Sequence, residues 1–141
     1  MRWIHSTAPA ILIRFLYIRD ILAGVGSGSL RDYFYNNILR AGFSDWVEVH
    51  QGRAREIAAT WSTPVDLLFL GGDQSQAGAR EAYESWSPFL KPGCVIALHN
   101  SDPGNFRPDH DGHRRLVDEE IAPPKCGEIY LVNYTAALVS G

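Results

Sequence analysis

One short apolar run constrains the fold of this chain more than any other feature. Residues Val65 to Leu70 read Val-Asp-Leu-Leu-Phe-Leu, with Pro64 before them and the pair Gly71-Gly72 after them. The run is too short for a helix and too apolar for a half-exposed strand, so it predicts a buried parallel strand. In open α/β sheets, ligands bind just outside the carboxyl ends of the strands. We therefore expect the chemistry of the protein to lie at residues 71–75.

Strand-like and helix-like segments alternate along the chain around this run. We predict strands at residues 11–18, 46–50 and 94–98 with a strand pair within 128–139, helices at 30–41, 53–61, 77–90 and 113–121, and a turn at 91–93. This alternation predicts a doubly wound, Rossmann-like α/β fold with a mostly parallel sheet and a C-terminal strand pair. With 141 residues, 45% of them hydrophobic, we expect residues 1–141 to form a single domain.

Composition and charge exclude several classes of function. The formal net charge of −3 provides no basic footprint, so we expect no nucleic-acid partner. Arg14 and Arg19 interrupt the apolar segment at residues 8–22, which makes the segment a poor membrane span and a poor secretory signal. Cys94 and Cys126 form neither a disulfide framework nor a metal-binding spacing, and they indicate a reduced, cytoplasmic setting.

Four sequence segments occur in an order that is typical of one enzyme family. They are Val-Glu-Val-His-Gln-Gly-Arg-Ala at 47–54, Val-Asp-Leu-Leu-Phe-Leu-Gly-Gly-Asp-Gln-Ser at 65–75, Trp-Ser-Pro-Phe-Leu-Lys-Pro-Gly at 86–93 and Val-Ile-Ala-Leu-His-Asn at 95–100. This set resembles the class I S-adenosylmethionine-dependent methyltransferases, specifically the type 24 methyltransferase domain group, whose fourth strand ends in Asp-Gly-Asp-His-Ser and whose fifth ends in His-Asp. The resemblance implies S-adenosyl-L-methionine as cofactor and methyl transfer to an oxygen or nitrogen of a small molecule or sugar.

The resemblance also implies where the cofactor would be held. Asp20, at the end of a predicted strand and before a Gly-rich loop, matches the acid that hydrogen-bonds the ribose hydroxyls. Gln51, Gly52 and Arg53 match the segment that flanks the adenine ring, where a glycine lets the backbone approach a flat ring closely. Gly71, at the end of the central strand, completes the expected cofactor-binding residues.

The chain departs from the family pattern in three places. The family's opening strand and acidic Gly-rich loop should lie well before Asp20, yet only nineteen residues precede it, so we expect an incomplete first strand-helix unit from a truncated copy or a displaced start. Gly71 and Gln74 stand where the family has Asp and His, and Asn100 stands where it has Asp. Because hard cations need several oxygen ligands, we expect no metal at the position where related metal-dependent O-methyltransferases hold one.

Asp73 and His99 each follow an apolar strand and are the expected catalytic residues. Asp73 would contact the acceptor or the amine of the cofactor, and its alternative role is the N-cap of the next helix. His99 would remove the proton of the acceptor as a general base, and its alternative role is that of a hydrogen-bonded structural histidine.

Three further motifs have simpler interpretations. The segment Gly24–Gly28 is either a displaced cofactor loop or, as we favour, an ordinary connection. The acid- and histidine-rich segment Asp109–His113 lacks the spacing of a calcium or zinc site and is interpreted as a solvated loop. Trp61, Tyr83 and Trp86 fall at core-facing positions of predicted helices and are expected in the core.

The sequence leaves two main classes of function open. The first is a small methyltransferase, and the second is a catalytically inactive remnant of that fold that acts as a binding or interaction module. A third, a dinucleotide-binding domain, is disfavoured because the chain lacks G-x-G-x-x-G. A sheet without its first strand would expose a pairing edge, so we also expect a homodimer.

Overall fold

The computed structural model describes residues 30–105, 108–121, 126–132 and 135–140. The chain divides into two units, residues 1–50 and 51–141. In the first unit, helix α1 spans Leu30–Arg40. It stops near Gly42, whose φ of +72° is typical of the residue after a helix. This confirms the predicted helix, while the predicted strand at 11–18 and the Gly-rich segment at 24–28 lie outside the described residues.

The predicted strand at Trp46–His50 is wrong. Residues 44–46 form a turn, and residues 47–50 have no regular secondary structure. A strand needs a hydrogen-bonded neighbour, and the ladders among the described residues join only segments that lie between Val65 and Ser140. An alternating apolar and polar pattern is therefore not sufficient to make a strand here.

The second unit is built on a four-stranded sheet. Its strands are β1 (Val65–Leu70), β2 (Leu90–His99), β3 (Cys126–Val132) and β4 (Thr135–Ser140). They lie in the order β1-β2-β4-β3. β1 and β2 are parallel, whereas β4 is antiparallel to both β2 and β3. The central parallel strand and the C-terminal strand pair are both confirmed.

Short helices connect the strands of this unit. They are α2 (Ala54–Ala58), α3 (Gln76–Trp86) and α4 (Gly112–Leu116), with 3₁₀ turns at Ser87–Phe89 and Pro103–Asn105 and a π-helical turn at Val117–Ile121. α3 and α4 with its π turn confirm two predicted helices, although α2 covers only part of the predicted span 53–61. Among all the helices that the structure describes, none combines the length and the apolar character needed to cross a membrane.

One face of the sheet is buried under α3 and α4, which contact β1 and β2 respectively. Leu68 and Leu70 of β1 are 6% and 2% exposed, and β2 adds the buried residues Cys94, Ile96 and Leu98. Successive residues of a strand point to opposite faces. Leu67 and Phe69 accordingly lie on the other face and are 57% and 45% exposed. β1 is thus buried on one face only, which corrects the prediction of a fully buried strand.

β2 begins earlier than the sequence predicts. Lys91-Pro92-Gly93 is an irregular part of this strand rather than a separate turn. The pairing register with β1 shifts between Val65 and Leu67, and Gly93 has a φ of +78°. Proline has no backbone N–H to donate to a neighbouring strand. Pro92 is therefore found at an irregularity of β2 and not in its regular part. Lys91 Nζ also lies 2.8 Å from the Asp66 carboxylate across the two strands.

Trp86, at the end of α3, is the largest fully buried side chain of the described residues. Its ring packs edge-on against Trp61, with 5.2 Å between ring centroids, and against Phe89 at 6.0 Å. Trp61 itself is half-buried, as is Tyr83. The expected core role is confirmed for Trp86, and the two other residues lie at the core boundary.

We predict that Trp86→Ala lowers the free energy of unfolding by about 3–5 kcal/mol, because truncation of a fully buried aromatic side chain leaves a cavity. Trp46→Ala is the matched control, since Trp46 is 53% exposed and its removal should cost less than about 0.5 kcal/mol. Urea denaturation followed by circular dichroism measures both. Equal losses for the two variants would contradict the packing described for Trp86.

Candidate functional site

The carboxyl ends of β1 and β2 meet at one edge of the sheet. Leu70 pairs with Leu98 in the parallel ladder. The segment after each strand, residues 71–75 and 99–101, therefore begins at the same level of the sheet. This edge brings together three residues that the sequence nominates for the site, namely Gly71, Asp73 and His99.

His99 is held by its backbone and leaves its ring available. Its carbonyl oxygen accepts a hydrogen bond from His113 Nδ1 at 2.8 Å. Its ring lies on the face opposite α3 and α4, with its centroid 6.4 Å from that of Phe69. Within the ranges that the structure describes, neither ring nitrogen of His99 has a hydrogen-bond partner, and the residue is partly exposed. Such an imidazole can accept a proton from a bound molecule.

Gly71 allows Phe69 to lie along this edge. A Cβ at position 71 would fall 2.7 Å from Phe69 Cε1, which is closer than two non-bonded carbon atoms approach one another. A side chain at this position would therefore displace the Phe69 ring. The absence of a side chain also means that Gly71 offers only its backbone to any ligand.

Asp73 organises the start of α3 without being its N-cap. Its Oδ1 accepts the Ser75 N–H at 2.9 Å. Ser75 is the N-cap, because its Oγ accepts the Gly78 N–H at 3.1 Å. A Cβ at Gly78 would fall 2.4 Å from Asp73 Oδ2, so the carboxylate lies against the first turn of the helix. The alternative role of Asp73 as N-cap is thus corrected to that of a loop residue two positions before the cap.

An amide pair joins the two strand ends. Asn100 Nδ2 donates to Gln74 Oε1 at 3.0 Å. Asn100 has a φ of +54°, in the left-handed region that asparagine tolerates better than most residues. The side chains of Gln74 and Asn100 are thus hydrogen-bonded to one another beside the end of β2 at His99.

These residues do not fit a divalent cation. Gly71 has no side-chain oxygen, Asn100 offers a neutral amide rather than a carboxylate, and Gln74 Oε1 already accepts a hydrogen bond from Asn100 Nδ2. Hard cations require several carboxylate or carbonyl oxygens. Over residues 30–105, 108–121, 126–132 and 135–140, no group of three or more His, Cys, Asp or Glu side chains is arranged to hold a metal ion.

The start of α4 contacts both strand ends. The Gly112 N–H donates to the Gln74 carbonyl oxygen at 2.9 Å. A Cβ at Gly112 would fall 2.3 Å from the Ser75 carbonyl oxygen, so the two backbones are in direct contact. The next residue, His113, donates a hydrogen bond from Nδ1 to the carbonyl oxygen of His99.

The interpretation of Asp109–His113 as a solvated loop is wrong for its second half. Asp109 and His110 are exposed, but Asp111 and His113 are only 2% and 1% exposed. The reason is that this half starts α4 and packs on the strand-end loops. The apolar residues three and four positions after His113 are the sequence signal that could have indicated its burial.

Asp111 is buried with its partners in place. Its carboxylate accepts hydrogen bonds from Arg115 Nε at 2.6 Å and from Gln76 Nε2 at 3.1 Å. The hydrogen bond from Arg115 is the main reason that the pKa of Asp111 lies below its usual value. The i,i+4 spacing of Asp111 and Arg115 is typical of a helical ion pair, and sequence reasoning missed it.

Burial lowers the pKa of His113 below the usual value of 6.5. The hydrogen bond to the His99 carbonyl and the charge of Asp73 oppose this shift, and the charge of His99 adds to it. His113 is therefore neutral at neutral pH, with Nδ1 as the protonated nitrogen that donates to His99.

The expected adenine-binding segment lies just before α2. Gln51, Gly52 and Arg53 are all exposed. The Arg53 backbone N–H donates to Glu56 Oε2 at 3.3 Å, which fixes the start of α2. In the part of the chain that the structure describes, no hydrogen bond joins this segment to Asp73 or His99. Asp20 lies outside the described residues.

We predict that Gly112→Ala lowers the free energy of unfolding by about 1–3 kcal/mol, because its methyl group would collide with backbone that cannot easily move. Gly104→Ala is the control. Its methyl group would meet only the flexible Asp102 carboxylate, at 3.2 Å, and should change stability by less than about 0.5 kcal/mol. Thermal and urea unfolding measure both variants, and equal stability of the two would refute the close approach at Gly112.

We also predict that His113 makes the protein less stable in mild acid. Below pH 6.5 the unfolded chain binds a proton at this residue before the folded protein does. The free energy of unfolding therefore falls as the pH decreases from about 7 towards the lowered pKa. His113→Asn, which keeps a donor near Nδ1, should flatten this dependence, whereas His110→Asn at an exposed position should not. Identical slopes for both variants, in urea unfolding from pH 7 to pH 5, would contradict this account.

The comparisons with known proteins agree with this architecture. A family model described as a methyltransferase domain matches residues 16–101. A solved O-methyltransferase from Bacillus cereus, in complex with SAH, superposes with a TM-score of 0.60 at 21% identity, over 92% of this chain and 62% of that one. The O-methyltransferase TomG from Streptomyces achromogenes, in complex with SAM and involved in tomaymycin synthesis, gives 0.59 at 21% identity, over 93% and 61%.

A Staphylococcus aureus structure, provisionally described as a caffeoyl-CoA O-methyltransferase, gives a TM-score of 0.65 at 16% identity, over 93% of this chain and 64% of that one. At these identities the likeness establishes the fold, which confirms the Rossmann-like α/β class. The chain spans less than two thirds of the length of these three structures. Because the family model covers more than half of the chain, the protein belongs to the type 24 methyltransferase domain family, as the sequence resemblance indicated.

Proposed function

We propose that the protein transfers a methyl group from S-adenosyl-L-methionine to an oxygen or nitrogen of a small molecule or sugar. The observation that carries the proposal is the position of His99. It ends β2 beside the loop that follows β1, and its ring nitrogens have no partner among the described residues. Family membership supports the reaction class, and the bound SAH and SAM of two structural relatives support the cofactor.

We assign the cofactor to the residues that the family resemblance implies. Asp20 would hydrogen-bond the ribose hydroxyls, and residues 51–53 would flank the adenine ring. Gly52 suits this role because its backbone is exposed and no side chain covers it. The fold itself does not require a glycine there, since a Cβ would meet Ile57 at an ordinary contact distance of 3.5 Å. Gly71 would present backbone at the strand end. When bound, the cofactor supplies an electrophilic methyl group on a sulfonium.

In this proposal His99 removes the proton of the acceptor. Methyl transfer needs a nucleophile with a free lone pair that faces the methyl group, and a positioned base supplies it when the acceptor is a hydroxyl. The exposed ring of Phe69, beside His99, offers an apolar surface to the body of a small acceptor. Asp73, on the neighbouring loop, would bind a polar group of the acceptor or the amine of the cofactor.

The alternative proposed from the sequence is an inactive remnant that binds but does not react. Its support is the replacement of family residues by Gly71, Gln74 and Asn100. These replacements affect a cation site, which the methyl-transfer step proposed here does not use. Retention of His99 with an available ring favours the enzyme.

Two further expectations remain proposals. A cytoplasmic setting is supported by the sequence, in which Cys94 and Cys126 form neither a disulfide framework nor a metal-binding spacing. A homodimer is supported only by the sheet-edge argument made from the sequence.

We predict that His99→Ala lowers kcat by about 100-fold or more, the usual contribution of a general base. The dissociation constant for SAM should change little, because His99 is assigned to the acceptor. The assay is transfer of a radiolabelled methyl group from SAM to a panel of phenols, amines and monosaccharides. His110→Ala, at an exposed histidine, is the control and should keep full activity. SAM binding without transfer to any acceptor by the wild-type protein would favour the inactive module instead.

A further inference from the structure

Three segments that are distant in sequence form a closed ring of hydrogen bonds at the site edge. The ring runs from the Gln74 side chain to Asn100, and from the Gln74 carbonyl to the Gly112 N–H. It closes through His113, whose Nδ1 donates to the carbonyl of His99. Gly112 is covalently joined to His113, and His99 to Asn100, so each link depends on the others.

Gln74 is held in this ring from two directions. Its backbone carbonyl accepts from Gly112 at 2.9 Å, and its side-chain oxygen accepts from Asn100 at 3.0 Å. The residue before it is Asp73, whose carboxylate is fixed by the Ser75 N–H. Asp73 is therefore held by its own carboxylate and by the fixed residue that follows it.

His99 is held in the same way from the other strand. Its carbonyl is bonded to the buried His113, and the next residue, Asn100, adopts a left-handed backbone while it bonds Gln74. A left-handed conformation costs free energy at a non-glycine residue, so the surrounding contacts must hold it. The amide pair of Asn100 and Gln74 is a side-chain contact that does so.

We propose that Gln74 and Asn100, supported by His113, are positioning residues that set the placement of the His99 ring relative to Asp73. The inference rests on the proposed methyl transfer, because it concerns the geometry of its general base. The hydrogen bond between the two amide side chains links the segments that follow the two strands. Catalytic geometry is sensitive to displacements of about 1 Å, which can cost about 100-fold in rate.

The test compares two substitutions of nearly equal size at one position. Gln74→Met removes the acceptor for Asn100, whereas Gln74→Glu keeps an oxygen that can accept the same bond. We expect Gln74→Met to lower kcat at least tenfold, with the KM for the acceptor and the Kd for SAM changed less than about threefold, and Gln74→Glu to restore most of kcat. Radiolabelled methyl transfer to the same acceptor panel measures the rates.

A double-variant cycle excludes unrelated damage to the loop. Asn100→Gly keeps access to the left-handed backbone but loses the amide, so it should match Gln74→Met. The double variant Gln74→Met/Asn100→Gly should show no further loss of kcat, because both changes remove one interaction. Multiplicative losses, or full kcat in Gln74→Met, would overturn the proposal.

A second readout does not depend on activity. In the folded wild-type protein we expect a nuclear Overhauser contact between the His99 and Phe69 rings, and its loss or weakening in Gln74→Met but not in Gln74→Glu. If the wild-type protein transfers no methyl group but shows this pattern, the proposed function fails and the positioning role stands. If the contact is the same in all three proteins, the positioning role fails whatever the activity.

Discussion

The backbone contact between Gly112 and the loop after β1 is the interaction on which the site depends. It brings the start of α4 against Gln74 and Ser75, with a hydrogen bond of 2.9 Å and no room for a Cβ. Only this close approach allows the next residue, His113, to reach the carbonyl of His99. A single glycine thus couples the ends of both parallel strands to one helix.

Apolar burial, rather than surface charge, holds α3 and α4 on the sheet. Trp86, Leu98, Leu116 and Val117 are all at most 1% exposed, and each fully buried side chain of this kind contributes about 1.5–3 kcal/mol. Arg80 on α3 also pairs with Glu119 and Glu120 after α4, at 3.0 and 2.6 Å. These groups are partly exposed, and ion pairs between solvent-exposed groups contribute little to stability. Their role is to complement the helix pair that burial has already formed.

The sequence predicted the parts of this protein that depend on local pattern. Local pattern was enough to predict the apolar run at β1, the glycine after α1, and the positions of Asp73 and His99 at the ends of their strands. The segment at 46–50 could not, because a strand depends on a partner that its own residues do not specify. The exposed face of β1 was missed for a related reason, since apolar residues on both faces do not reveal which face is covered.

The positioning role of residues around the site could not be predicted from the sequence either. Gln74 and Asn100 were noticed only as departures from a family pattern, and their hydrogen bond depends on how two strands align. Asp111 and His113 were assigned to a solvated loop, although Gly112 between them is what permits their burial. Residue type indicated the chemistry, while long-range contacts decided which residues are partners.

The most direct test of the central claim is a map of SAH binding by amide chemical shifts in two-dimensional NMR. The account predicts saturable shifts that are concentrated at residues 51–53 and 71–73, with smaller changes at His99. Asp20→Ala should weaken the binding without unfolding the protein. Absence of saturable shifts in a demonstrably folded protein, or shifts confined to other parts of the fold, would contradict the assignment of this sheet edge as a methyltransferase site.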